Sequence, residues 1–214
     1  MTRQSSDSVS RRITPPIRSS QEYFRLYEQV VSSLPHSVIQ EVAEEILRGY
    51  EEGRTIFLFG NGGSAALASH FACDLGKGTL VDVNRRQRLR VLALTDNVPL
   101  MTAWANDSSY EDIFAEQLQN LALPGDIAFA ISGSGNSPNV LHALEVARAL
   151  DVRTVGLTGF RGGAMKVLCD LCIIVPSDNM QIIEDFHLSV AHSLFLIVRH
   201  AIRQRLTLAA GAHD

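Results

Sequence analysis

The sequence predicts an α/β fold: a single domain built on a five-stranded parallel sheet flanked by helices, with two further helices ahead of it. Three observations carry this reading. Short apolar runs alternate with helix-spaced segments from about residue 55 to residue 205. The runs are nearly continuous in apolar residues, as strands are when both faces of a parallel sheet are covered. The chain has 214 residues, 46% hydrophobic and 20% charged, which suits one compact domain able to bury a core without staples.

The elements follow in order. Residues 1–19 are rich in Ser, Arg and Pro and are expected to form a disordered arm. Tyr23, Leu26, Tyr27, Val30, Val31 and Leu34 recur at helical spacing, and Pro35 interrupts them. Ser37 and Gln40 have the spacing of a capping box, and Ile39, Val42, Ile46 and Tyr50 extend a second apolar stripe to Gly53. Strands are expected at 55–59, 89–94, 126–131, 154–157 and 171–175. Helices are expected at 64–75, 111–121, 138–150, briefly after Gly163, and from about Gln181 to Arg205. The domain so defined spans 20–206, and 207–214 is expected to be a flexible tail.

Composition excludes several function classes. Nineteen basic against twenty-three acidic residues give a net charge of −4, without the basic surplus of a nucleic-acid binder. The uninterrupted apolar runs are shorter than the ~20 residues of a membrane span. Arg11-Arg12 is followed by Ile-Thr-Pro-Pro rather than an apolar stretch, so no export signal is read there and a cytoplasmic location is expected. Cys73, Cys169 and Cys172 make no disulfide framework, which fits a reducing compartment. Cys169-x-x-Cys172 lies in an apolar stretch read as a strand, where positions three apart face opposite sides, so the pair reads as structural.

Two glycine-rich loops are expected at the carboxyl ends of strands, where open parallel sheets bind ligands. Ser132-Gly133-Ser134-Gly-Asn-Ser137 precedes a helix with Ser137 at its cap and Pro138 in its first turn. Free N–H groups at that helix start favour an anion, and the hydroxyls can donate as well. No lysine completes a nucleotide-hydrolysing loop, so the composition suits a phosphate monoester. Gly60-Asn61-Gly62-Gly-Ser64, with Ala65, also fits a dinucleotide pattern. The acid that would confirm it is lacking: Asp82 is the nearest candidate and precedes the expected second strand, so no nucleotide cofactor is expected. Ser64 could add a donor to a sugar or its phosphate.

His70 and Asp74 are four residues apart and project from one helical face. Glu184, Asp185, His187 and His192 lie near the start of the last helix. Carboxylates and imidazoles gathered at one cleft form either an acid/base set or a metal site. Glu184 and His192 are separated by about 12 Å of helical rise, so both reach one metal only if Glu184 leans toward His192.

Taken together, Gly60-Asn-Gly-Gly-Ser64, His70-Phe-Ala-x-Asp74-Leu, Asn106-Asp107, Asp112-Ile-Phe, Ile131-Ser-x-Ser-Gly-Asn-Ser137, Leu157-Thr-Gly159 and Glu184-Asp-x-His187-x-x-x-x-His192 resemble, in that order, the sugar isomerase (SIS) domain proteins. Within them the chain is most similar to the phosphoheptose isomerases. The resemblance spans about residues 21–205. It implies isomerisation of sedoheptulose 7-phosphate, a phosphorylated sugar, toward heptose synthesis for surface polysaccharide. It further implies a homotetramer with sites between subunits and one Zn²⁺ per site. Carried over, Asn61, Gly62, Ser64, Ser132, Gly133, Ser134, Ser137 and Glu184 bind substrate. Asp74 and His192 are the acid/base pair, and His70, Asp74, Glu184 and His192 are the metal ligands. The chain departs from the family in having Asp74 for a glutamate, Glu184 for a glutamine, Lys77 or Gly78 near a family arginine, and Gln181 for an aspartate. The alternative implied by the same fold is a non-catalytic sugar-phosphate sensor or a replication-initiator-binding adaptor.

Overall fold

The computed structural model describes residues 16–80 and 87–211; most of the expected arm, and Asp82, lie outside these residues. Five strands, β1 (Thr55–Gly60), β2 (Arg90–Ala93), β3 (Ile127–Ser132), β4 (Arg153–Thr158) and β5 (Leu171–Ile174), form one sheet. Their order is β2-β1-β3-β4-β5, and every neighbouring pair is parallel. Successive side chains alternate between the two faces. Ile56, Leu58, Phe129, Ile131 and Leu157 enter a core with α2 (His36–Glu52), α3 (Gly63–Cys73) and α8 (Met180–Gly211). Phe57, Phe59, Ala128 and Ala130 enter a second core with α5 (Ala115–Leu121), α6 (Pro138–Ala149) and Met165 of α7 (Met165–Leu168). This two-sided burial explains why the strands read as apolar runs rather than alternating ones.

The first helix, α1 (Ser20–Val31), is held against α8 by polar and aromatic contacts. Tyr27 stacks on Phe186 with ring centroids 4.3 Å apart, and its hydroxyl is 3.1 Å from that of Ser189. The Tyr23 hydroxyl donates to Asp185, and burial together with that carboxylate raises the Tyr23 pKa to about 12. Val30, Ile182, Ile183 and Phe186 close a small core beneath these contacts.

Four details differ from the sequence expectations. The capping box does not form: α2 starts at His36 behind Pro35, so Ser37 lies inside the first turn and the Gln40 amide donates to Glu44. A helix without a sequence counterpart, α4, spans Val98–Asp107. Asn97 caps it by accepting from the Leu100 amide at 3.2 Å, and its short apolar stripe, Met101, Trp104 and Ala105, is only partly buried against the second core. The last helix continues past Arg205 to Gly211, and its length and hydropathy would suffice for a membrane span. Here that apolar character is spent on packing: Val190, Ala191, Leu194, Val198 and Ile202 are buried in the core shared with α2 and α3. Finally, Cys169 caps the end of α7 rather than belonging to β5, so the two cysteines of the pair do not take opposite strand faces.

Asp126, only 4% exposed, joins β1 to the turn before β3 by accepting from the Thr55 amide at 2.8 Å and the Leu123 amide at 2.9 Å. Asp126→Ala strands both donors and is expected to lower the unfolding free energy by about 2–4 kcal/mol. Urea denaturation checks this, and a wild-type midpoint would contradict it.

Candidate active site

Both polar loops lie beyond the carboxyl ends of neighbouring strands, β1 and β3. The first is drawn tightly against the sheet: a Cβ on Gly60 would lie 2.5 Å from the Ile131 carbonyl oxygen and 2.8 Å from the Ser64 Cβ. Gly62 takes a positive φ of 55° and turns the chain into α3. Asn61 and Asn139 exchange side-chain hydrogen bonds, each 2.8 Å, and the Tyr110 hydroxyl donates to the Asn61 Oδ1 at 3.1 Å. The Asn61 amide, expected to bind substrate, is thus engaged in tying the first loop to the start of α6. Asn139 and Tyr110 escaped the sequence reading because neither stands in a glycine-rich motif. The only hint was the position of Asn139 just after Pro138.

In the second loop Ser137 stands at the N-cap of α6 without a capping side-chain bond, and its Oγ is 3.2 Å from that of Ser132. The Ser134 Oγ accepts from the Asn136 amide at 3.2 Å. Gly133 accepts from the Gly159 amide at 3.0 Å, which ties the loop to the end of β4. Gly135, at φ 66°, passes so close to Gly162 that a Cβ would lie 2.2 Å from its carbonyl oxygen. These approaches hold the serines at the start of a helix, where backbone amides and hydroxyls favour an anion.

The ionisable residues converge where α3 meets α8. The α3 helix gives way at Asp74 to a π turn, Asp74–Gly78, a feature frequent at functional sites. The end of that turn packs on α8: a Cβ on Gly78 would stand 2.6 Å from the Phe195 ring. The His70 and His192 Nε2 atoms are 2.9 Å apart, and Asp74 Oδ2 is 3.4 Å from His70 Nε2 and 3.7 Å from His192 Nε2. Two imidazole nitrogens and a carboxylate oxygen, all within 4.8 Å of one another, form a donor set able to hold a divalent ion. The same set can exchange protons with a bound molecule.

Beside this cluster is a cavity of about 410 Å³ whose walls include Gly63, Ser64, His70, Glu184, His187 and His192. Glu184 turns its carboxylate to Gly63, with Oε1 3.4 Å from the position of a Cβ there, and stands outside the three-residue cluster. The reason is its place on α8, two turns before His192. Ser132, Ser134 and Ser137 do not line this cavity. Their loop adjoins it through the start of α8, where the Met180 Sδ lies 2.5 Å from a Cβ placed on Gly133.

His187 is 1% exposed, and neither ring nitrogen completes a hydrogen bond. Burial pushes its pKa down from 6.5 to about 4, against a weaker upward pull from the Thr158 backbone. Between these values the unfolded chain carries the proton and the folded chain does not, so stability rises with pH across that window. The full linkage is roughly 3 kcal/mol, present above pH ~6.5 and lost as the pH falls toward 4. His187→Met is expected to flatten this part of the pH dependence. Denaturant unfolding at several pH values checks it; equal acid sensitivity in both proteins would rule it out.

Residues 21–159 match the family model of the SIS domain. The phosphoheptose isomerase of Trichlorobacter lovleyi is 38% identical over 182 residues, 85% of this chain and 91% of that protein. The phosphoheptose isomerase of Aneurinibacillus thermoaerophilus is 41% identical over 165 residues, 77% of this chain and 82% of the relative. The solved structure of a phosphoheptose isomerase from Francisella tularensis superposes with a TM-score of 0.78 at 32% identity, covering 84% of this chain and 96% of that one. With its parallel sheet, its two polar loops and its histidine–aspartate cluster, the chain belongs to the SIS domain family, among the phosphoheptose isomerases.

Proposed function

We propose that this isomerase interconverts sedoheptulose 7-phosphate and D-glycero-D-manno-heptose 7-phosphate by acid/base chemistry through an enediol. The observation that carries the reading is the convergence of His70, Asp74 and His192 beside a cavity. In this scheme Ser64, Ser132, Ser134 and Ser137 hold the phosphate, with loop amides adding donors. The Asp74 carboxylate takes the proton from the carbon next to the carbonyl and returns it to the neighbouring carbon. His192 carries protons between the two oxygens. Glu184, which lines the cavity, binds sugar hydroxyls.

His70, Asp74 and His192 would hold a zinc ion, and Glu184 would join them on moving away from Gly63. Two imidazoles and a carboxylate are donors that zinc accepts, and a bound ion would polarise the sugar's carbonyl oxygen. The cluster is open to solvent in the single chain, with the His70 and His192 side chains 48% and 47% exposed. Exposed Leu188 and Leu196 flank His192 on α8, and Phe24 is exposed on α1. These features support an oligomer whose subunits cover each other's sites; in this reading it is a homotetramer of the cytoplasm, serving heptose synthesis for surface polysaccharide.

Asp74→Asn and His192→Gln are each expected to reduce turnover of sedoheptulose 7-phosphate by about 10³-fold or more while binding of the sugar phosphate persists. A coupled aldose assay with calorimetric binding distinguishes the two effects, and wild-type turnover by both variants would refute the assignment. Removing metal with a chelator is expected to lower turnover, with recovery on adding Zn²⁺. Full activity of a protein shown by elemental analysis to be metal-free would remove zinc from the scheme.

A further inference from the structure

Cys169 and Cys172 meet on the side of the sheet opposite α3. Cys169 ends α7, its amide donating to the Met165 carbonyl at 2.9 Å, while Cys172 lies in β5, the edge strand. Gly156 of β4 is the register partner of Cys172. A Cβ on Gly156 would fall 2.8 Å from the Cys169 Sγ and 3.1 Å from the Cys172 Sγ. Both sulfurs therefore occupy the gap that this glycine leaves, within roughly 6 Å of each other, and the two thiols interact directly. Both residues are partly exposed, so a small reagent reaches them. The third cysteine, Cys73, belongs to α3 on the other face.

We propose that Cys169 and Cys172 form a reversible dithiol–disulfide site, closed by hydroperoxides, that acts on the adjacent hydroxyl-rich loop. The Cys172 thiol is the attacking group: the neighbouring Cys169 thiol, and Lys166 beyond it, lower its pKa, while Cys169 is raised by that same partner and by burial. The Cys172 thiolate attacks one peroxide oxygen and breaks the O–O bond, giving a sulfenic acid and hydroxide, which a proton converts to water. The Cys169 sulfur then attacks the sulfenic sulfur, and its proton leaves with the displaced oxygen as a second water. The thiols lose two electrons and two protons, and hydrogen peroxide is reduced to two waters.

The same short segment contacts the loop. The Met165 amide donates to the Gly135 carbonyl at 3.1 Å, and the Ala164 amide to the Asn136 Oδ1 at 3.0 Å. A bond at Cys169 therefore pulls on the four-residue helix whose other end supports Gly135 and Asn136. This effect on activity rests on the isomerase reading, whereas bond formation does not.

The test treats the full-length protein with hydrogen peroxide, labels free thiols with iodoacetamide and digests with trypsin. Residues 167–199 form one tryptic peptide containing both cysteines. The expected result is that this peptide loses two hydrogens and takes no label, that dithiothreitol restores two labels, and that Cys73 stays labelled throughout. The bond should persist in Cys73→Ser and vanish in Cys169→Ser. Two labels on the peptide after peroxide, or a sulfinic acid on Cys172 beside a labelled Cys169, would overturn the site. With the bond closed, KM for the sugar phosphate is expected to rise about fivefold and to recover with dithiothreitol. An unchanged KM in fully bridged protein would overturn the link to the loop.

Discussion

The fold depends on covering both faces of a sheet whose strands all run the same way. A parallel strand cannot return by a tight turn, so each crossover must travel over a face and bury it. Ile56 and Leu58 therefore pack on one layer of helices while Phe57 and Phe59 pack on the other. One consequence is geometric: all five carboxyl ends open on the same edge, so two loops far apart in sequence become neighbours. Asn61 and Asn139 turn that adjacency into a direct bond, 78 residues apart along the chain.

A second constraint is the approach of α3 to α8. Phe71 and Leu75 are fully buried on one side of the contact, Ala191 and Leu194 on the other. Gly78 permits the end of the π turn to lie against Phe195. This packing orients His70 and Asp74 toward His192, and a partly exposed ionisable cluster results at the rim of an apolar core. The three groups are not buried charges needing compensation. They remain accessible to solvent, which suits groups that must gain and lose protons or bind an ion. The contrast with His187, one turn away from Glu184 and inside the core, shows how strongly position on α8 decides the chemistry of an imidazole.

The hydroxyl-rich loop is held by two backbone hydrogen bonds and by the Asn136 side chain. Gly133 bonds to Gly159, Gly135 to Met165, and Asn136 to Ala164. Its serine hydroxyls are thus positioned by a rigid frame that also carries the two cysteines at its far end. A loop supported in this way can present a fixed array of donors, and it can also feel a change in the support.

Much was legible in the sequence because it is written in local patterns. Apolar runs marked the strands, glycine clusters marked their ends, and Ser137-Pro138 marked the start of α6. The spacing of His70 and Asp74 puts them on one helical face. The failures are equally physical. Ser37 and Gln40 satisfied the spacing of a capping box, but Pro35 started the helix earlier. The Val98–Asp107 helix has no fully buried residue, and Met101, Trp104 and Ala105 make only a short stripe that is easily passed over. Cys169 lies in an apolar stretch that reads as strand, but the strand begins two residues later. The sequence by itself determined the layers, the order of elements and the chemical types available. Only the tertiary structure decided that His192 meets His70 and Asp74 while Glu184 faces Gly63, and that two thiols share the gap above Gly156. Those outcomes depend on how helices and strands distant in sequence pack together, and no local pattern encodes that distance.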